Sequence, residues 1–187
     1  MKFNPDKHHR RSIRLKGYDY SRPGTYFVTI CVKDRECLFG DISNGEMHLN
    51  EYGKIVQTEW LKSSEIRNEI ELDAYQIMPN HFHGIVIIRN GTMDRRDERP
   101  FVPTRSFVPT MFKMRPKSLS SLMAGFQSPV TSKINQLRGT PKQDVWQSNY
   151  FDRIIRNDNE LNRIRKYIIE NPMKWNSDNE NPNSSPT

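Results

Sequence analysis

Gln76-Ile77-Met78-Pro79-Asn80-His81-Phe82-His83-Gly84-Ile85-Val86-Ile87-Ile88 places two histidines one residue apart at the head of a β-branched run, so the segment reads as a strand. Residues two apart on a strand share a face, which turns both imidazoles one way and Phe82 the other. That arrangement presents two nitrogen ligands to one metal ion without needing a loop. A His-x-His pair also arises by chance in a chain of this length, so the motif needs a second element to give it meaning.

That element is Asn157-Asp158-Asn159-Glu160-Leu161-Asn162-Arg163-Ile164-Arg165-Lys166-Tyr167-Ile168-Ile169-Glu170-Asn171-Pro172. Asn157 followed three residues later by Glu160 resembles a capping box, and Pro172 closes the helix. Leu161, Ile164 and Ile168 form its apolar stripe, with Tyr167 at the border of that stripe. Asn171 lies one turn after Tyr167 on the same side, so one short helix offers a hydroxyl and an amide oxygen to a common site. An ordinary amphipathic tyrosine, ring packed and hydroxyl wetted, fits the same spacing.

The 187 residues suit one domain with a genuine core, and a net charge of +7 with a pI near 9.5 favours a polyanionic partner. Charge is unevenly spread. Residues 1–22 hold seven bases, Arg11 and Arg14 among them, against two acids, whereas residues 41–73 hold eight acids against three bases. Two cysteines, Cys31 and Cys37, are too few for a disulfide scaffold or a ligand quartet, and no leader or long apolar run is visible. A cytoplasmic protein without a membrane span is expected.

Residues 1–22 read as a basic arm, 23–175 as one folded domain and 176–187, rich in Asn, Ser and Pro, as a disordered tail. Strands are expected at 25–32, 38–41, 47–49, 72–78, 82–88 and 150–155, with a tight hairpin at Asn44-Gly45. Helices are expected at 53–64 and 118–137, the latter carrying Pro129, besides the Tyr167 helix. Residues 90–117, with the duplication Phe101-Val102-Pro103-Thr104 and Phe107-Val108-Pro109-Thr110, read as a mobile insertion. The order suits an α+β sandwich: an antiparallel sheet with helices packed on one face.

Beyond the histidines, the chain carries Arg11-Ser12-Ile13-Arg14-Leu15, Gly17-Tyr18-Asp19-Tyr20, Tyr26-Phe27-Val28-Thr29-Ile30, Trp146-Gln147, Tyr150, Asp152-Arg153-Ile154-Ile155-Arg156 and Tyr167-Ile168 with Asn171-Pro172. In that order, over roughly residues 10–175, it resembles the REP-associated tyrosine transposases, a branch of the single-tyrosine transposases with a His-hydrophobic-His signature. The resemblance implies a ferredoxin-like, RRM-like sheet, the HUH endonuclease fold, with the histidines on a central strand. It implies Tyr167 as nucleophile and His81, His83 and Asn171 as ligands of Mg²⁺ or Mn²⁺, with Glu170 as the fallback for Asn171. It also implies single-stranded DNA beside a hairpin as substrate, a 5′-phosphotyrosine intermediate, and a prokaryotic, nucleoid-associated monomer or homodimer.

A phenol with a pKa near 10 is a poor nucleophile at neutral pH, which is why such chemistry asks for a metal at the phosphate. Two imidazoles favour Mn²⁺ over Mg²⁺. Arg153, Arg156 and Arg163 are candidates for phosphate contacts near the site, and Arg11 and Arg14 for gripping DNA farther off, although exposed arginines also serve solubility alone. Trp146 suits either base stacking or a buried anchor, and Tyr150 is the rival nucleophile. Two other classes fit the same residues: a non-catalytic nucleic-acid-binding module, and a hydrolase using His81 and His83 to activate water.

Overall fold

A computed structural model describes residues 18–89, 116–178 and 180–182. Arg11 and Arg14, the rest of the arm through Gly17, and residues 90–115 lie outside them. The chain runs β1 (Gly24–Cys31), a short hairpin of β2 (Gly40–Ser43) and β3 (Glu46–Leu49), α1 (Glu51–Ile66), β4 (Ile70–Ile77), β5 (His81–Ile88), α2 (Leu119–Arg138), β6 (Phe151–Ile155) and α3 (Asp158–Glu170). Setting aside the β2–β3 hairpin, the order through β6 is strand, helix, two strands, helix, strand. The four long strands pair antiparallel throughout in the order β4-β5-β1-β6, the ferredoxin-like arrangement, and the histidine strand β5 is central. Asn44 and Gly45 turn the small hairpin with positive φ of 54° and 77°.

Alternation along the strands sorts the core into two layers. Phe82, Val86 and Ile88 of β5 face α1 and α2 together with Tyr26, Val28 and Ile30 of β1. Trp60 of α1 packs there against Phe82 and Phe126 with ring centroids 4.6 and 5.2 Å apart. Each such fully buried side chain contributes roughly 1.5–3 kcal/mol of hydrophobic stabilisation. α2 begins at Ser118, whose hydroxyl accepts from the Ser121 N–H, and ends at Gly139 in the left-handed conformation; Pro129 is accommodated inside it.

The expectation that the helices pack on one face holds for α1 and α2 and not for α3. With those two helices covering one side of the sheet, Phe27, Ile85 and Ile155 would be left bare on the other. The stripe of α3, Ile164 and Ile168 with Leu161 beside them, covers that second layer. His81 and His83 point into this layer. Residues 176–178 and 180–182, expected in a disordered tail, are also placed. Asn181 donates to the Trp175 carbonyl at 3.0 Å, and the Glu180 carbonyl accepts from Asn80. Side-chain-to-backbone hydrogen bonds, which composition does not reveal, hold this segment. Among the described residues no helix is long and apolar enough to cross a membrane.

Gly84 sets how closely the helical layer approaches the histidine strand. A Cβ there would lie 2.7 Å from Trp60 Cζ2 and 2.8 Å from the Phe82 ring. Gly84→Ala is therefore expected to cost about 1–3 kcal/mol through overpacking, read as a lower urea midpoint at unchanged slope.

Candidate active site

Local chemistry fixes where α3 starts. Asn157 caps it by accepting the Glu160 N–H at 2.9 Å, while the Glu160 carboxylate reaches back to the Arg156 N–H at 3.0 Å and binds Arg153 Nε at 2.7 Å. A β-bulge fixes where the helix lies. The β4–β5 register shifts between Leu72 and Tyr75, so two successive residues, Asp73 and Ala74, both serve the α3 side. Asp73 then takes Arg165 in a two-pronged pair, Nε to Oδ1 at 2.9 Å and Nη2 to Oδ2 at 2.5 Å, and the guanidinium holds its carboxyl below the usual range.

With the helix so placed, the Tyr167 hydroxyl lies 3.4 Å from His83 Nε2, within one chain. The phenol ring stands edge-on to His83 and to Phe27, with centroids at 5.3 and 6.2 Å. His81 and His83 are adjacent, 4.6 Å between ring centroids, and almost wholly buried. Each is held through Nδ1: His83 by the Thr29 hydroxyl and His81 by Asn80 Oδ1, both at 2.8 Å. Asn171 follows the last turn of α3, buried, and its amide acts on the Tyr167 hydroxyl by lowering the phenol's pKa.

Two atoms at this place have no hydrogen-bond partner among the described residues, His81 Nε2 and Asn171 Oδ1. A buried polar atom left unpaired costs about 1–3 kcal/mol. Lone pairs on an imidazole nitrogen and an amide oxygen, beside the second imidazole, fit a divalent ion of the Mn²⁺ or Mg²⁺ kind. Among the described residues no cluster of three or more His, Cys, Asp or Glu side chains forms, so Asn171 is what separates this donor set from a bare histidine pair.

Burial keeps both imidazoles neutral. It pushes His81 down to about 4, with Asp178 opposing, and drives His83 well below 6.5, with His81 adding to the effect. Between pH 6.5 and about 4 the unfolded chain binds a proton at residue 81 that the folded chain refuses. Stability is thus fully present above pH 6.5 and declines as pH falls towards 4, by about 3 kcal/mol for His81 alone. Urea titrations of the metal-free protein from pH 7 to pH 4 should show that decline, and His81→Gln should reduce it, leaving the part that His83 contributes.

The three arginines expected near the site lie together on the sheet edge. Arg153, Arg156 and Arg163 line one surface groove of about 750 Å³ with Tyr20, Phe151 and Asn157. Arg153 is engaged by Glu160 there. Glu170, the fallback ligand, is engaged by Lys174 and Lys166. Trp146 is a buried anchor, its ring 5.2 Å from Phe39 and 6.1 Å from Phe126, and Tyr150 packs on that same core, on the face opposite the histidines. Three neighbours went unread in the sequence: Thr29 and Asn80 behind the imidazoles, and Asp178, whose charge acts on both His81 and Tyr167. The polar Asn80 directly before His81 was the visible signal.

The chain is 38% identical over 177 residues to an uncharacterized protein of Haemophilus influenzae, covering 95% of this chain and 96% of that one. The chain belongs to the same family as that protein. No family model matches it. Among solved structures it superposes on a REP-associated tyrosine transposase bound to a REP hairpin, with a TM-score of 0.57 at 18% identity, covering 87% of this chain and 74% of that one. The fold is therefore that of the REP-associated tyrosine transposases. The family member from Haemophilus and the transposase thus bracket the chain, one by sequence and one by architecture.

Proposed function

We propose that this chain is a metal-dependent transposase-like enzyme that nicks and joins single-stranded DNA near hairpins through a 5′-phosphotyrosine intermediate. The observation that carries this reading is the Tyr167 hydroxyl 3.4 Å from His83 Nε2, beside the two unpartnered donor atoms. His81, His83 and Asn171 would hold Mg²⁺ or Mn²⁺, which when bound supplies charge neutralisation at the scissile phosphate.

Tyr167 itself has the nucleophilic role. Burial raises its pKa above the ordinary 10, with Asp178 and Glu180 adding to this and the Asn171 hydrogen bond opposing it, so the phenol is protonated at neutral pH. In the reaction the phenol gives up its proton as its oxygen bonds to phosphorus, the bond from phosphorus to the 3′ oxygen breaks, and that oxygen takes up a proton by way of solvent and leaves as a hydroxyl. The energy of the phosphodiester is kept in the protein–DNA link, so a different 3′-hydroxyl can reverse the step without ATP. Arg156 and Arg163, which line the groove at the edge of the sheet, would contact phosphates of the flanking strand, and Arg11 and Arg14 of the basic arm would grip DNA farther off.

The reading is tested by incubating the protein with hairpin-flanked single strands and Mn²⁺, then sequencing the nucleotide-bearing peptide by mass spectrometry. A nucleotide on Tyr167 is expected. Modification at another residue, or cleavage without any adduct, overturns it.

A further inference from the structure

We propose that Asn80 is a positioning residue that dictates the tautomer of His81, presenting a bare Nε2 to the site. The orientation of the Asn80 amide follows from its partners. Nδ2 lies 3.1 Å from the Arg35 carbonyl and 2.6 Å from the Glu180 carbonyl, and carbonyl oxygens only accept, so that end is the NH₂ group. Oδ1 therefore faces His81 Nδ1, at 2.8 Å. An amide oxygen also only accepts, so Nδ1 carries the proton. A neutral imidazole has a single N–H, which leaves Nε2 with its lone pair free, and that atom is the buried one without a partner among the described residues.

His83 is held differently. Its Nδ1 meets the Thr29 hydroxyl, which can donate or accept and so imposes no tautomer. The two histidines thus differ: one is fixed by its neighbour, the other adjusts. Asn80 is itself 1% exposed, and its two carbonyl partners come from the loop after β1 and from the C-terminal segment, so the amide cannot turn over without breaking both bonds. Partners of this kind behind metal-binding histidines are worth about 10- to 100-fold in metal affinity.

The inference rests on reading His81 as a metal ligand, but its first readout needs no metal. Full-length protein labelled with ¹⁵N-histidine, metal-free at pH 7.5, is expected to show His81 protonated at Nδ1 in long-range ¹H–¹⁵N spectra. Asn80→Ala is expected to lose that preference and to bind Mn²⁺ about 10- to 100-fold more weakly. Thr29→Val should leave the His81 tautomer unchanged. Finding His81 protonated at Nε2 in the wild-type protein overturns the proposal, which holds even if the alanine variant fails to fold. So does an Asn80→Ala protein with the wild-type tautomer. A wild-type protein that shows the expected tautomer and its loss in the variant, yet binds no Mn²⁺, supports Asn80's role and overturns the metal-dependent function instead.

Discussion

In Tyr167→Phe the covalent protein–DNA adduct is expected to fall by about 10³-fold or more, while hairpin-flanked single strands remain bound. The substitution removes the one oxygen that can form the phosphotyrosine bond and keeps the ring that packs on Phe27 and His83. Stability should change little, by about 1 kcal/mol, because His83 Nε2 loses the hydroxyl 3.4 Å away. Denaturing gels with end-labelled DNA report the adduct and filter binding reports affinity. The three functional classes separate in this experiment. A nicking and joining enzyme loses its adduct and its cleavage together, a hydrolase cleaves on, and a binding module has no adduct to lose.

Removing both imidazoles, by His81→Ala with His83→Ala, is expected to weaken Mn²⁺ binding beyond about 100-fold, since loss of the supporting hydrogen bonds alone costs metal sites 10- to 100-fold. Isothermal calorimetry gives the affinity directly. Adduct formation should fall with it, at every Mn²⁺ concentration tested. Asn171→Leu should weaken binding less, because the two nitrogen donors stay. Unchanged Mn²⁺ affinity in the double variant would remove the histidines from any metal role and leave them as packed core residues.

The elements legible in the sequence were those whose signal is local. The β-branched run after His83 marks β5, the Asn157 cap marks α3, and the stripe from Leu119 to Leu137 marks α2, although Leu137 itself is exposed; all three elements stand within a residue or two of expectation. The pairing of His81 with His83 on one face followed from alternation alone. What was not legible depends on contacts distant in sequence. An apolar stripe says that α3 must cover something, not which side of the sheet is uncovered; that was decided by α1 and α2 having taken the other side. Asn80 shows in the sequence only as a polar residue directly before His81, and its meaning comes from carbonyls 45 residues before and 100 residues after it. Residues 176–178 and 180–182 fall in the 176–187 tail that read as disordered, because composition counts side chains and not the backbone bonds they make.

The bulge in β4 has a second effect besides aiming Asp73 at Arg165. Among the described residues β4 is a rim strand of the sheet, with β5 on one flank and no strand on the other. Straight rims invite a second molecule to add its own strand and start a fibre. An irregular step between Leu72 and Tyr75 spoils that template, so the same extra residue that seats the tyrosine helix also discourages molecules from zipping together edge to edge.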